Sequence, residues 1–149
     1  MWALRDPGDA GAPSAPLQRI QIVKGWASGG ESRERVYEVA GDPQSGAGLD
    51  LATCTPAPGA DQLCRVWTDP DFDPRAPAFY YARVVENPSC RWNTWACNAH
   101  QVDCADPESV PRELSACCDA GVPKSIQERA WTSPIWYSPA AGERTAREE

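Results

Sequence analysis

The chain has 149 residues, including 15 Pro and 11 Gly, and a formal net charge of −7. This length suits one domain with its own core, and the frequent prolines argue against helices of ordinary length. Because the chain is acidic and its Arg and Lys residues are scattered singly, it offers no basic surface to nucleic acid or to an anionic membrane. The apolar runs are too short for insertion into a membrane.

The first half of the chain predicts a β-hairpin. Residues 1–16 are predicted to be a lead-in or linker, because residues 5–16 are rich in Asp, Gly, Ala and Pro. Residues 17–26 form the clearest alternating strand pattern, and residues 33–39 form a second one. The turn signal Ser28-Gly-Gly-Glu31 lies between them, so the two strands are predicted to pair.

The second half predicts three further strands and one short helix. Residues 63–68 are a short strand candidate, and residues 78–85 suit a strand buried on both faces. Residues 132–137 are predicted to be an edge strand around Pro134. The one helix that we predict begins near Asp106-Pro107 and continues through Leu114 to Cys117.

These elements predict a mainly β fold, either an antiparallel sheet or a small sandwich-like module, with long Pro/Gly/Cys-rich loops and at most one or two short helices. Residues 17–137 form the predicted module, with a cysteine-rich insert at residues 88–121. Residues 138–149 are predicted to be a disordered tail, because their end is dense in charge and lacks apolar periodicity.

Seven cysteines are many for a chain of a reducing compartment, and they favour disulfides and an exported protein, periplasmic or extracellular. The first residues lack the basic and apolar regions of a signal peptide, so we expect a full-length protein to carry that signal elsewhere. Local spacing favours Cys54 with Cys64 and Cys90 with Cys97. Cys104 would then pair with Cys117 or with the adjacent Cys118, and spacing alone leaves this connectivity open.

Two tryptophans and an arginine make the segment from Cys90 to Cys97 a candidate ligand site. Trp92 and Trp95 could stack on a sugar or aromatic ligand, with Arg91 assisting. The alternative is that these rings replace missing core in a small stapled region.

Signals for metal binding and catalysis are weak. The single histidine, His100, cannot build a multi-histidine catalytic centre, although together with Cys97, Cys104 and the adjacent Cys117-Cys118 it could supply the four ligands of a structural zinc site. The alternating carboxylates that begin at Asp69 start like a calcium loop but lack its later Gly and Glu, so solvated acids in a proline-rigid turn are favoured. No catalytic, cofactor-binding or metal-binding residue is predicted in this chain.

Several long phrases resemble the C-terminal region of the bacterial domain-of-unknown-function family numbered 3604. The resemblance extends from about residue 15 to residue 137, and the phrases that carry it are Leu17-Gln-Arg-Ile-Gln-Ile-Val-Lys-Gly-Trp26, Arg35-Val-Tyr-Glu-Val-Ala-Gly41, Cys64-Arg-Val-Trp-Thr-Asp-Pro-Asp-Phe-Asp-Pro74, Phe79-Tyr-Tyr-Ala-Arg-Val-Val-Glu-Asn-Pro-Ser-Cys90 and Ile126-Gln-Glu-Arg-Ala-Trp-Thr-Ser-Pro-Ile-Trp-Tyr137. Members are exported proteins whose larger N-terminal part resembles metal-dependent barrel phosphoesterases and amidohydrolases.

The resemblance implies a non-catalytic structural module that packs on the N-terminal barrel region of a larger, hydrolase-like parent protein. The family's histidine-rich metal motifs have no counterpart here, so any divalent metal is expected in that barrel region. Two alternatives stay open. One is a secreted glycan-binding module that uses the Trp-rich segment, and the other is a small zinc-stabilised domain.

Overall fold

The computed structural model describes residues 1–9, 14–44 and 46–139. The described chain is mainly β and antiparallel, which confirms the predicted fold class. The helical parts are one α-helix, α1 (Trp92–Ala99), and two 3₁₀ segments, Pro107–Ser109 and Arg112–Cys118. The strands are β1 (Trp2–Leu4), β2 (Leu17–Ser28), β3 (Glu31–Gly41), β4 (Leu49–Asp50), β5 (Thr55–Pro56), β6 (Gln62–Cys64), β7 (Ala78–Glu86), β8 (Ser89–Cys90), β9 (Ser125–Ile126), β10 (Arg129–Trp131) and β11 (Ile135–Tyr137).

One five-stranded sheet organises the fold, with the order β10-β7-β2-β3 and with β11 also paired to β7. The predicted hairpin is confirmed as β2 and β3, joined by Gly29 and Gly30. Both glycines have positive φ angles, of 62° and 77°, as the tight turns that match strand twist require. Strand β2 lies inside the sheet, and Ile20 and Val23 are each only 1% exposed.

The C-terminal segment forms two strands, not the single predicted edge strand. Strands β10 and β11 pair with successive parts of β7 and are separated by residues 132–134. Pro134 has no N–H to donate, so one continuous ladder would lose a bond at this point. The Thr132 N–H donates to the Ala82 carbonyl (3.1 Å) and the Thr132 hydroxyl accepts from the Ala82 N–H (3.0 Å), which keeps the break attached to the sheet.

The two faces of the sheet have different environments. Directly paired residues of antiparallel strands share a face, so the register sorts the side chains. Lys24 and Tyr80 share one face, over which residues 65–77 fold back. The opposite face carries four rings, which we call the aromatic face: Phe79, Tyr81, Trp131 and Trp136.

The N-terminal residues are structured, in contrast to the predicted lead-in. Strand β1 pairs with β6, and the Arg5 guanidinium lies 3.0 Å from the Asp61 carboxylate. Composition missed this strand because only Trp2 to Leu4 carry it, ahead of the Asp/Gly/Ala/Pro-rich stretch. The predicted strand at residues 63–68 is correspondingly shorter, since only Gln62–Cys64 pair.

The cysteine-rich insert contains an α-helix where a loop was expected. Helix α1 occupies Trp92–Ala99, while the helix predicted through Cys117 is present only as two 3₁₀ segments. Pro111 separates those segments and prevents a continuous α-helix, because its N–H is missing and its ring clashes with the preceding turn.

The disulfides connect distant cysteines. The bonds are Cys54–Cys90, Cys97–Cys117 and Cys104–Cys118. The local pairings Cys54–Cys64 and Cys90–Cys97 are therefore wrong. Cys64 lies in β6 beside β1 and is an exposed free thiol, while α1 carries Cys97 away from Cys90 towards the second 3₁₀ segment. Of the two partners expected for Cys104, the structure selects Cys118. Residues 140–149, most of the predicted tail, lie outside the described residues.

Candidate functional site

A buried ion pair joins the centre of the sheet to the returning segment. The Lys24 ammonium lies 2.5 Å from the Asp69 carboxylate, and the two side chains are only 8% and 6% exposed. The ammonium also donates to the Asp71 carbonyl at 2.7 Å. Trp26 and Tyr80 place their rings 5.4 and 5.8 Å from the Lys24 nitrogen, so the charge is enclosed by hydrogen bonds and aromatic faces.

Two tyrosines extend this network. The Tyr80 hydroxyl donates to Asp69 at 2.7 Å, and the Tyr37 hydroxyl donates to Asp71 at 2.8 Å. Arg35 pairs with Asp71 at 2.6 Å. We call these six side chains the clasp: Lys24, Arg35, Tyr37, Asp69, Asp71 and Tyr80.

The contacts within the clasp change the pKa values of Asp69, Tyr37 and Tyr80. Burial by itself would raise the pKa of Asp69, but hydrogen bonds from Lys24, Tyr80 and the Asp71 N–H hold that pKa below its ordinary value. Burial and the hydrogen bond to Asp71 raise the pKa of Tyr37 to about 12. Burial and the hydrogen bond to Asp69 likewise raise the pKa of Tyr80. Both phenols therefore remain hydrogen-bond donors at neutral pH.

These contacts assign the Asp-rich segment a structural task. Asp69 and Asp71 accept bonds from cations and hydroxyls of the sheet. Asp69 is buried, in contrast to the solvated acid that the turn motif suggested, whereas Asp71 remains about half exposed. Trp67 packs beside them, with its ring centroid 5.0 Å from that of Tyr37. The sequence signal for the clasp was a lysine next to Ile22 and Val23 in the predicted strand, but nothing local indicated its partner.

The aromatic face presents two exposed tryptophans. Trp131 and Trp136 are 58% and 71% exposed, while Phe79 and Tyr81 are half-buried. The Phe79 ring stacks parallel to Tyr81 with centroids 6.4 Å apart and contacts Trp136 at 5.2 Å. Together with Thr132 and Pro134, the four rings line a groove of about 360 Å³.

A second, apolar groove of about 320 Å³ begins where the first one ends. Phe79 and Trp136 belong to both grooves, and Gly25, Trp26 and Tyr137 contribute to the second. The Phe79 ring lies directly over Gly25, so that a Cβ built there would fall 2.2 Å from its Cζ atom. The aromatic face thus continues across the width of three strands, β11, β7 and β2.

The residues predicted for ligand contact lie at the start of α1, in another part of the fold. Trp92 and Trp95 are 77% and 45% exposed, and Arg91 is the residue before the helix. Arg91 and Trp92 line a cleft of about 360 Å³ together with Glu128, whereas Trp95 lies one helical turn further along the surface.

The cysteines proposed as zinc ligands are used differently. Cys97, Cys104 and Cys117 all form disulfides, and a disulfide sulfur is not the thiolate that zinc requires. The structure thus contradicts the zinc-stabilised alternative, and His100 lies exposed at the end of α1. In the part of the chain that the structure describes, no three His, Cys, Asp or Glu residues converge as metal ligands.

The three disulfides indicate an oxidising compartment. Within residues 1–9, 14–44 and 46–139, none of the helices has the length and apolar composition needed to cross a bilayer.

Comparison with known proteins identifies a family without an assigned activity. Residues 1–139 match the family model described as "Protein of unknown function (DUF3604)". No curated protein and no solved structure matches the chain. Since the match covers most of the sequence, this chain belongs to the DUF3604 family.

Proposed function

We propose that this chain is a non-catalytic structural module, the C-terminal portion of an exported, metal-dependent hydrolase-like protein. Its aromatic face packs against the barrel region of that parent protein. The observation that carries this proposal is the exposure of Trp131 and Trp136 on the face opposite the one over which residues 65–77 fold back.

The chemistry of the aromatic face supports a protein partner. Exposed Trp and Tyr side chains clustered on a rigid element are typical of the energetically dominant centres of interfaces. Here the rings project from paired strands, so they lose little conformational freedom when they are covered. Arg83 and Gln21 share the face and are joined at 2.7 Å, which provides a polar margin beside the rings.

The use of the buried charges also supports a structural role. Lys24 and Asp69 are the most buried ionised pair described, and each is already bonded to several partners within the clasp. A catalytic acid or base has to exchange its proton with a substrate. These two groups instead hold a chain segment on the sheet, as a scaffold for the opposite face.

Export of the parent protein agrees with the oxidising compartment that the disulfides indicate, and it is part of the same proposal. We assign the metal and the reaction to the barrel region, because Lys24 and Asp69 are engaged in an ion pair and six of the seven cysteines in disulfides.

The proposal is tested by reconstituting the two parts. The chain is co-expressed in an oxidising compartment with the barrel region of a full-length family member, and their association is measured by affinity capture and sedimentation. Alanine at both Trp131 and Trp136 is expected to weaken association by about 30-fold or more, as at the centre of an interface.

The matched control is Trp92→Ala, because Trp92 is equally exposed but lies on α1. That variant is expected to associate like the wild type. Failure of the wild-type chain to bind the barrel region, or loss of binding only in the Trp92 variant, would overturn the proposal.

A further inference from the structure

A small cleft lies between the start of α1 and the β8–β9 ribbon. Its volume is about 360 Å³, and its lining residues are Ser89, Cys90, Arg91, Trp92, Ile126 and Glu128. Ser89 is paired with Ile126 across the ribbon, and the Arg91 N–H donates to the Lys124 carbonyl at 3.0 Å. Backbone hydrogen bonds therefore hold the two strands of the ribbon together and fix the start of α1 beside them.

Covalent and polar links make the cleft rigid. Cys90 is bonded to Cys54, and Cys97 at the far end of α1 is bonded to Cys117. The Thr94 hydroxyl also donates to the Lys124 carbonyl, at 2.6 Å. A ligand would meet a site that is already formed, so little binding free energy would be lost in ordering it.

The groups that line this cleft retain unused binding capacity. Within the described residues, no hydrogen bond or ion pair engages the guanidinium of Arg91 or the carboxylate of Glu128, although both line the same space. The indole of Trp92 is 77% exposed beside them. A strong donor, a strong acceptor and a flat aromatic surface are thus presented together.

We propose that this cleft binds a neutral saccharide. The apolar C–H face of a sugar ring packs on the Trp92 indole, Arg91 donates hydrogen bonds to ring or hydroxyl oxygens, and Glu128 accepts them from hydroxyl groups. Each sugar hydroxyl both donates and accepts, so one pair of neighbouring hydroxyls satisfies both charged side chains.

The charges of the cleft disfavour anionic ligands. Arg91 and Glu128 line the cleft with opposite charges, and the nearby Glu86, whose pKa is raised by burial and by Glu128, adds a second carboxyl group. This arrangement disfavours phosphate and other polyanions, as does the acidic chain as a whole. Trp95 is about 4.5 Å further along the helix axis and 45% exposed, so it offers a second ring to the next unit of an oligosaccharide.

This inference goes beyond the proposed structural role and concerns a different surface. The test uses the purified, oxidised full chain with cellohexaose, mannohexaose and maltohexaose, and with inorganic phosphate and trialanine as non-saccharide probes. Binding is measured by calorimetry, and the Trp indole N–H signals are followed by NMR.

We expect at least one hexasaccharide to bind and to shift the Trp92 indole signal. Trp92→Ala and Arg91→Ala are each expected to weaken binding by about tenfold, a change of about 1.4 kcal/mol. Trp136→Ala is the matched control, since it removes an equally exposed indole from the aromatic face, and it is expected to bind like the wild type.

Glu128→Gln keeps the shape of the side chain and guards against a variant that fails to fold. It is expected to weaken saccharide binding without lowering the melting temperature, because Glu128 is exposed and its replacement removes a repulsion with Glu86. Absence of binding by all three hexasaccharides, binding of phosphate or trialanine alone, or weakening by Trp136→Ala and not by Trp92→Ala would overturn the proposal. The last outcome would leave the barrel-packing test unaffected, because that test measures a different partner.

Discussion

Lys24 and Asp69 are 45 residues apart in sequence, yet their charged groups are 2.5 Å apart where residues 65–77 fold back over the sheet. Both side chains are almost fully buried. The pair therefore holds residues 65–77 against strand β2.

Replacing Lys24 by Met is expected to lower the free energy of unfolding by about 3–5 kcal/mol, because Asp69 is left as an unpaired buried charge. The double variant Lys24→Met with Asp69→Asn is expected to recover part of that loss, since no uncompensated charge remains. Urea denaturation of the oxidised protein measures both. Arg33→Met is the control, because its pair with Glu31 is exposed and contributes little. If Lys24→Met and Arg33→Met lower the free energy of unfolding equally, burial of the Lys24–Asp69 pair does not add to its effect on stability.

The lowered pKa of Asp69 means that the stabilisation by the clasp is lost at low pH. Because the folded-state pKa is below the unfolded value, this stabilisation is complete above about pH 4 and is lost as the pH falls through the folded pKa. The urea concentration at the midpoint of unfolding should therefore fall for the wild type as the pH is lowered below about 4. The Lys24→Met/Asp69→Asn variant should lack this part of the decline, and identical slopes for the two proteins would refute it.

Tyr37 sets a limit on the alkaline side. Its pKa is raised to about 12 in the folded state, so its contribution is fully present below about pH 10 and is lost as the pH rises through about 12. Tyrosinate absorbance is recorded after rapid pH jumps, before unfolding, for the wild type and for Tyr37→Phe. The difference between the two titrations should have a midpoint near 12. A midpoint near 10 would show that the hydroxyl is not held by Asp71.

The main strands were predictable because their signals are long. Residues 17–26, 33–39 and 78–85 combine alternation with β-branched or aromatic residues, and each corresponds to a strand of the central sheet. Helix α1 was missed because it has no local start signal. Arg91 precedes the helix and provides no side-chain cap. The contacts of α1 with the rest of the chain, including the Cys97–Cys117 disulfide, therefore outweigh the weak helix propensity of its sequence.

The clasp and two of the three disulfide pairings, Cys54–Cys90 and Cys97–Cys117, escaped prediction for a related reason. Each depends on residues brought together by the whole fold, and spacing along the chain contains no record of that proximity. The candidate ligand residues are a partial exception, because Arg91 and Trp92 do line one cleft. Glu128 completes that cleft from a distant strand connection, and no local pattern indicated it.

The disulfide connectivity predicts a single reactive thiol. Native protein should give one equivalent with a thiol reagent, from the exposed Cys64, and seven after reduction and unfolding. Cys64→Ser should abolish the native signal without changing stability. Serine at both Cys54 and Cys90 should lower the free energy of unfolding by about 4 kcal/mol, because that bond closes a loop with a sequence separation of 36. If the native protein does not react with the thiol reagent, Cys64 must instead be in a disulfide bond.

At Gly25 the Phe79 ring of the aromatic face lies directly against the backbone of strand β2. Gly25→Ala should lower the free energy of unfolding by about 1–3 kcal/mol, because the new methyl group would occupy the position of the Phe79 ring. Gly48→Ala is the matched control, since its added Cβ would meet only Ala57, at an ordinary 3.7 Å. Combining Gly25→Ala with Phe79→Leu should cost less than the sum of the two changes, because the smaller side chain vacates the contested space. Strict additivity in denaturation experiments would mean that the ring does not lie over Gly25 in solution.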